Sequence, residues 1–183
     1  MPTSDYHAVS DIMGEIQRLS PKTVLDIGVG FGKWGVLCRE ILDARFGRCR
    51  PDDWEASVVG CEVWPVYRNP AWRCYSQVYI SKPGDAFPDG YDFGPPGVEL
   101  VLMIDVLEHF DDNPGREILR KLVAQNKHVI VSVPNGVMEQ GETFGNPYEA
   151  HKWTFHGTEE FKDYKFKVIH QSVCTVVSIE GNG

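Results

Sequence analysis

The sequence contains few cysteines, and no two of them stand in a C-x-x-C spacing. The five cysteines are scattered along the 183 residues, at positions 38, 49, 61, 74 and 174. An odd number without paired spacing argues against a disulfide framework and against a zinc site. We therefore expect reduced thiols, most of them packed as small apolar side chains.

Long apolar runs and an excess of positive charge are also missing. No stretch of about 18 apolar residues occurs, so no transmembrane helix is predicted. Residues 1–11 are polar and lack the apolar segment of a signal peptide, which predicts a cytoplasmic protein. With 18 Lys and Arg against 26 Asp and Glu, the net charge is −8. This balance disfavours a polyanionic partner, so neither nucleic acid nor a membrane is expected to bind.

The chain has the length of one α/β domain, which we place at residues 1–183. Apolar spacing of the helical kind alternates with short runs of buried-strand type. Helices are predicted at 6–19, 33–46 and 111–125, and strands at 22–27, 57–63, 77–80, 98–104, 128–133 and twice within 164–179.

This alternation predicts a doubly wound, mostly parallel sheet with right-handed crossovers. The last two strands follow each other without a helix, which favours an antiparallel last strand. A helix within residues 1–20 is expected to cover the site. The long loop at 134–156 is expected to form part of it, because loops of this length in compact domains are often functional.

A glycine-rich turn follows the first predicted strand. Asp26 ends the strand, and Gly28, Gly30 and Gly32 follow at every second position before a helix begins. Glycine allows tight turning and close approach of a ligand to the backbone. The free N–H groups of the next helix point toward the same place. The turn therefore predicts a site for a small charged cofactor.

Two cofactor classes use such a turn. Residues 30–35 match the dinucleotide fingerprint G-x-G-x-x-G. Read from Asp26, however, the pattern is D-x-G-x-G-x-G, which resembles the first motif of class I S-adenosylmethionine-dependent methyltransferases. A carboxylate suits the ammonium of that cofactor and is a poor neighbour for a pyrophosphate. The methyltransferase interpretation is therefore preferred.

Further segments strengthen this resemblance. The run 104–110 (I-D-V-L-E-H-F) is similar to the fourth-motif region of many small-molecule methyltransferases, and 133–136 and 145–153 follow in the family's order. The resemblance covers roughly residues 23–158 and is to a stand-alone bacterial or phage-type domain. It implies a Rossmann-like seven-stranded sheet of order 3-2-1-4-5-7-6, with S-adenosyl-L-methionine as cofactor.

The resemblance also implies roles for individual residues. The three glycines of the turn would pass under the amino-acid end of the cofactor, with Asp26 near its ammonium. Glu62, at the end of the second strand, would bind the two ribose hydroxyls. Asp85, with Ala86 beside it, would accept a hydrogen bond from the adenine amino group. Asp105 would lie near the reactive sulfonium. In order, the expected cofactor-binding residues are Asp26, Gly28, Gly30, Gly32, Glu62, Asp85, Ala86 and Asp105.

Two histidines are candidates for a general base. His109 follows Asp105 by four residues, and His151 lies in the long loop beside Trp153. A hydroxyl or ammonium acceptor needs a base near neutral pH, and histidine commonly supplies it. The predicted catalytic residues are therefore His109, His151 and Asp105. A metal site formed by Asp105, Asp111, Asn135 and His151 has no ligand spacing in its favour, so no metal site is predicted.

The sequence thus predicts methyl transfer to oxygen, nitrogen or carbon of an acceptor, most simply a small molecule. Two alternatives remain open: an NAD-dependent oxidoreductase that uses the G-x-G-x-x-G reading, and a non-catalytic cofactor-binding or scaffold protein. We expect the acceptor to be recognised by the N-terminal helix, by the loop after the fifth strand or by a second subunit, and the last of these would make the protein a homodimer.

Overall fold

Seven strands form a single sheet in the computed structural model, which describes residues 4–80 and 97–183. Their order across the sheet is 3-2-1-4-5-7-6, as predicted. The strands are β1 Thr23–Ile27, β2 Ser57–Glu62, β3 Gln77–Ile80, β4 Leu100–Ile104, β5 His128–Pro134, β6 Phe166–Gln171 and β7 Cys174–Glu180. The helices are α1 Val9–Leu19, α2 Lys33–Leu42 and α3 Asp112–Gln125.

The first five strands pair in parallel, whereas β7 runs antiparallel to both β5 and β6. A tight turn can join β6 to β7 only because they are antiparallel; parallel neighbours need a crossover. The predicted antiparallel last strand is therefore confirmed.

Both faces of the sheet are covered, which explains why its central strands are apolar throughout. Alternate residues of β4 point to opposite sides: Leu100 and Leu102 pack in the core formed with α1 and α2, and Val101 and Met103 pack in the core formed with α3. All four are fully buried.

Helix α2 ends earlier than its apolar spacing predicts, at Leu42 rather than at Phe46. Asp43 leaves the helical conformation, and its buried carboxylate accepts hydrogen bonds from Arg39 (2.8 Å), Arg48 (3.0 Å) and the backbone N–H of Glu55 (2.9 Å). Two of these three partners lie beyond the helix, so the apolar spacing within it does not predict them. Only a single 3₁₀ turn continues beyond Asp43.

Parallel strands bring their carboxyl ends to one edge of the sheet, where ligands bind in open α/β folds. Here the ends of β1, β2 and β4 meet at that edge. Among the described residues, no helix is long and apolar enough to cross a membrane.

Candidate active site

The glycine turn after β1 has the conformation that its sequence predicts. Gly28, Gly30 and Gly32 have φ angles of 81°, 51° and 86°, a region that residues with a Cβ rarely adopt. At Gly28 a Cβ would also lie 2.5 Å from a methyl carbon of Val106. The turn is attached to the end of β2 because the N–H of Gly28 donates to the carbonyl of Cys61 at 2.9 Å.

Asp26 lies behind this turn rather than on the cavity wall. Its side chain is buried, and one oxygen accepts a short hydrogen bond from the Tyr75 hydroxyl, while Oδ1 has no partner among the described residues. Burial raises the pKa of Asp26 to about 7, against the opposing effect of the Tyr75 hydrogen bond. The same Tyr75 oxygen accepts the N–H of Gly35 in α2 at 2.9 Å. Asp26 and Tyr75 thus form the support beneath the turn.

Glu62 connects the turn to the chain that follows β2. Its Oε2 accepts the N–H of Gly30 at 2.7 Å, and its Oε1 accepts the N–H of Trp64 at 2.8 Å. Burial raises the pKa of Glu62, and these backbone donors act in the opposite direction. A carboxylate has about four acceptor sites, so two sites remain for hydroxyl groups of a ligand.

Asp105 stands at the end of β4 with φ 53°, an uncommon conformation for a residue other than glycine. Its Oδ1 accepts the Ser132 hydroxyl from β5, and its Oδ2 accepts the backbone N–H of Asp5 at 2.8 Å. Left-handed backbone at non-glycine residues clusters at functional sites. The conformation turns the chain from β4 into the segment that carries Glu108 and His109.

The two candidate histidines lie next to each other, with ring centroids 5.0 Å apart. Nδ1 of His109 is 3.3 Å from the carbonyl oxygen of Ala150, and Nδ1 of His151 is 2.8 Å from that of Met138. A carbonyl only accepts, so each Nδ1 carries the hydrogen and each Nε2 of the neutral ring has a free lone pair. Burial lowers the pKa of His109.

Two contacts close the site from outside the sheet edge. The ammonium of Lys33 donates to the carbonyl oxygen of Ser4 at 2.5 Å and to its hydroxyl at 3.0 Å, which brings the segment Ser4–Asp5 against Asp105. On the other side, the Tyr67 hydroxyl donates to Glu149 at 2.8 Å. The long loop after β5 is thereby attached to the segment after β2.

Most of these residues line a cavity of about 370 Å³ at the sheet edge. Most of the predicted site residues line it, namely Gly28, Gly30, Glu62, Asp105, His109 and His151. Asp26 and Gly32 do not line it, and Asp85 and Ala86 lie outside the described residues.

Several lining residues carry no role in the sequence analysis: Asp5, Lys33, Glu108, Asn146 and Glu149. Glu108 lies in the I-D-V-L-E-H-F run, so an acidic residue beside Asp105 and His109 could have been predicted to belong to the site. The others come from segments far apart in the chain, and only the fold brings them together. Among the described residues that line the cavity, five carry a carboxyl group (Asp5, Glu62, Asp105, Glu108 and Glu149) and one, Lys33, carries an ammonium, so the lining is acidic.

Neither a protein-family profile nor a curated protein matches this sequence. Solved structures match its fold. The N-terminal domain of EvdMO1 with S-adenosylhomocysteine (SAH) bound has a TM-score of 0.63 at 12% identity, over 94% of this chain and 80% of that one. An O-methyltransferase family protein from Burkholderia thailandensis has a TM-score of 0.66 at 12% identity, over 97% of this chain and 56% of that one.

A third similar structure is the small RNA methyltransferase HEN1, with a TM-score of 0.59 at 15% identity, over 100% of this chain and 26% of that one. The chain thus spans about half of the Burkholderia protein and a quarter of HEN1. With its sheet order, its antiparallel β7 and its glycine turn after β1, the chain has the fold of the class I S-adenosylmethionine-dependent methyltransferases.

Proposed function

We propose that the chain binds S-adenosyl-L-methionine and transfers its methyl group to a small-molecule acceptor. One observation carries this proposal: the glycine turn and Glu62 face one acidic cavity at the carboxyl ends of β1 and β2, in a fold that binds SAH in EvdMO1. An acidic cavity suits a cofactor that carries a sulfonium and an ammonium.

Each part of the cofactor has a candidate partner. The backbone of Gly28 and Gly30 receives the amino-acid end, and the free acceptor sites of Glu62 receive the ribose hydroxyls. Asp105 places negative charge beside the sulfonium. Asp26 has no direct contact with the cofactor in this arrangement and supports the glycine turn from beneath, together with Tyr75. Asp85 and Ala86 keep the role at the adenine that the resemblance implies.

The reaction is an in-line displacement, which mainly requires alignment and exclusion of water. The acceptor's lone pair forms a bond to the methyl carbon, the carbon–sulfur bond breaks, and its electron pair remains on sulfur, which becomes a neutral thioether. The acceptor's proton passes to Nε2 of His109 or His151, the nitrogens that the carbonyls of Ala150 and Met138 leave free.

The remaining expectations belong to this proposal. The chain acts as one domain in the cytoplasm, its N-terminal helical region and the loop at 134–156 cover the site, and a homodimer is the expected assembly. The preference for a small acceptor is supported by the net charge of −8 and by the cavity volume of about 370 Å³. The likeness to an RNA methyltransferase makes an RNA oligonucleotide a necessary member of any acceptor screen.

The first experiment is calorimetric titration with S-adenosylmethionine, SAH and NAD in parallel. We expect the first two to bind and NAD to give no heat. Binding of NAD alone would support the oxidoreductase alternative. If none of the three compounds binds, the scaffold alternative remains. If the first two bind but no acceptor in a screen is methylated, the chain is a non-catalytic cofactor-binding protein.

Glu62→Gln tests the cofactor's position. The amide keeps one oxygen acceptor but loses the charge, so SAH affinity should fall by about 1.5–3 kcal/mol, the range for a hydrogen bond to a charged group. Glu55→Gln is the matched control, because Glu55 is exposed and does not line the cavity. Equal SAH affinity in both variants would remove Glu62 from the cofactor site.

A further inference from the structure

Glu108 presents to the cavity a buried carboxyl oxygen without a hydrogen-bond partner among the described residues. The residue is 2% exposed, and this oxygen is Oε2. Burial and the nearby carboxylates of Asp105 and Glu149 raise its pKa. A buried oxygen of this kind normally has a partner, so its isolation points to a group that belongs there.

His109 and His151 supply the rest of a ligand set. One potential ligand atom from each of Glu108, His109 and His151 lies within 4.8 Å of the other two. The backbone carbonyls of Ala150 and Met138 hold the Nδ1 hydrogens, so the two Nε2 lone pairs are free. Backbone carbonyls play this orienting role behind metal-binding histidines, because they fix the tautomer and the ring direction.

The loop that carries His151 is fixed to the segment that carries Glu108. The carbonyl oxygen of Glu108 accepts the N–H groups of Lys152 at 2.8 Å and Trp153 at 3.2 Å. Three potential ligand atoms therefore come together on two segments that the backbone holds in place. A cation is the group that such an arrangement lacks.

We propose that Glu108, His109 and His151 bind a first-row divalent cation at the floor of the cavity. Two imidazole nitrogens and one carboxylate form a set that suits manganese, iron, cobalt or zinc, with positions left open. Magnesium and calcium prefer oxygen ligands and fit it poorly. This ligand set differs from the combination of Asp105, Asp111, Asn135 and His151, because it uses Glu108 and His109 and neither Asp111 nor Asn135.

A bound cation would also restrict the methyl acceptor to compounds with a hydroxyl group. This second part of the inference rests on the proposed function. All three ligands line the cavity, so the open coordination positions face the acceptor. A hydroxyl oxygen bound there loses its proton to water at a lower pH than it does free in solution. That oxygen then attacks the methyl carbon, and the sulfur keeps the electron pair of the broken bond. The acceptor is accordingly a hydroxyl compound, and with the cation bound the two histidines act as its ligands, which replaces the role as base given to them under the proposed function.

Cation binding can be measured without any acceptor. Chelator-treated protein without a histidine tag is titrated with Co²⁺, followed by visible absorption, and with Mn²⁺ and Mg²⁺ by calorimetry. We expect one Co²⁺ per chain with the spectrum of nitrogen and oxygen ligation. His109→Ala, His151→Ala and Glu108→Gln should each weaken binding at least about tenfold. Mg²⁺ should bind at least about tenfold more weakly than Mn²⁺.

His156→Ala is the matched control, since His156 is an exposed histidine outside the cavity, and it should bind Co²⁺ as the unaltered chain does. SAH binding by each variant reports whether it folds. Co²⁺ binding that survives the loss of both His109 and His151 would overturn the inference, as would no binding by the unaltered chain. Co²⁺ binding without SAH binding would preserve the cation site and reject the cofactor proposal; the reverse result would reject only the cation site.

Discussion

Single residues at the glycine turn show how closely local chemistry and packing are linked. Tyr75 holds Asp26 with its hydroxyl proton and receives the N–H of Gly35 on the same oxygen. Its ring lies where a side chain at Gly35 would project, so that helix α2 can approach the sheet only with glycine there. The apolar spacing of α2 predicted a helix but gave no indication of this contact.

Substituting two helical glycines by alanine should therefore give opposite results. A Cβ at Gly35 would lie 2.1 Å from a ring carbon of Tyr75, and we expect Gly35→Ala to destabilise the protein by about 1–3 kcal/mol through overpacking. Gly14, in α1, has nothing within 4 Å of its Cβ position, and Gly14→Ala should stabilise by about 0.5–1 kcal/mol. Urea unfolding of both variants measures this. A similar effect in both would contradict the packing argument.

The pH dependence of stability should reveal Asp26. Its pKa is about 7 in the folded chain, against an ordinary value of 3.8, so the native state holds the proton longer than the unfolded state does. The free energy of unfolding therefore decreases as pH rises from about 4 to about 7. We expect Asp26→Asn to lose less stability than the unaltered chain between pH 5 and pH 8, measured by urea unfolding.

Glu62 and Glu108 also have raised pKa values, so a slope should remain in the variant. The informative quantity is the difference between the two proteins at each pH. Parallel curves would mean that Asp26 is ionised in the folded chain throughout this range.

At the level of elements, the type of each strand and helix followed from the sequence, and the boundaries followed less well. The apolar run at 98–104 correctly predicted a central strand, since both faces of β4 are buried. Helix α1 begins at Val9 rather than at Tyr6, which remains exposed, and α2 ends at Leu42 rather than at Phe46. Apolar spacing measures which face is buried, whereas helix ends depend on partners such as Arg48 that lie outside the helix.

Helix α1 is attached to the sheet by a buried carboxylate. Glu15 accepts hydrogen bonds from Arg18 (2.7 Å), Lys167 of β6 (2.6 Å) and Ser178 of β7 (2.7 Å), which lower its pKa to about 2 against the effect of burial. We expect Glu15→Gln to destabilise the protein by about 1–3 kcal/mol at neutral pH. A lowered pKa means that this contribution is present above about pH 4.5 and is lost as pH falls toward 2.

Glu117→Gln on α3 is the matched control, because Glu117 pairs with Arg120 at the same i,i+3 spacing but on an exposed face. Its denaturation midpoint should equal that of the unaltered chain. Thermal unfolding at pH 7 and pH 3 compares the two variants. A Glu15→Gln variant as stable as the control at pH 7 would show that α1 is held by its apolar face alone.

On the scale of the whole molecule, the sequence identified the edge of the sheet where the site lies but not all of its members. Glu62 and Asp105 each end a predicted parallel strand, which predicted that both would line one site, although 43 residues separate them in sequence. The same reasoning placed Asp26 there as well, and the structure puts that carboxylate behind the wall. The contributions of Lys33 and Glu149 depend on how the N-terminal segment and the long loop fold over the sheet, which no local pattern encodes.

The net charge of −8 should prevent non-specific binding of nucleic acid. Non-specific binding depends on neutralising phosphates with Lys and Arg, and here acidic residues outnumber them. We expect single-stranded RNA to bind with a Kd above about 100 µM at physiological salt, measured by fluorescence anisotropy. Tight binding that weakens steeply with added salt would instead identify a basic surface and redirect the acceptor screen to RNA.

The contact between Ser4–Asp5 and the sheet edge has a consequence for ligand exchange. Ser4 is bonded to Lys33 and Trp34, and Asp5 to Asp105, so this short strip of backbone lies across part of the cavity wall. These few polar bonds are much easier to break than the sheet beneath them. The residence time of a bound cofactor would then be governed by the fraying of this strip, while its affinity is governed by the rigid floor.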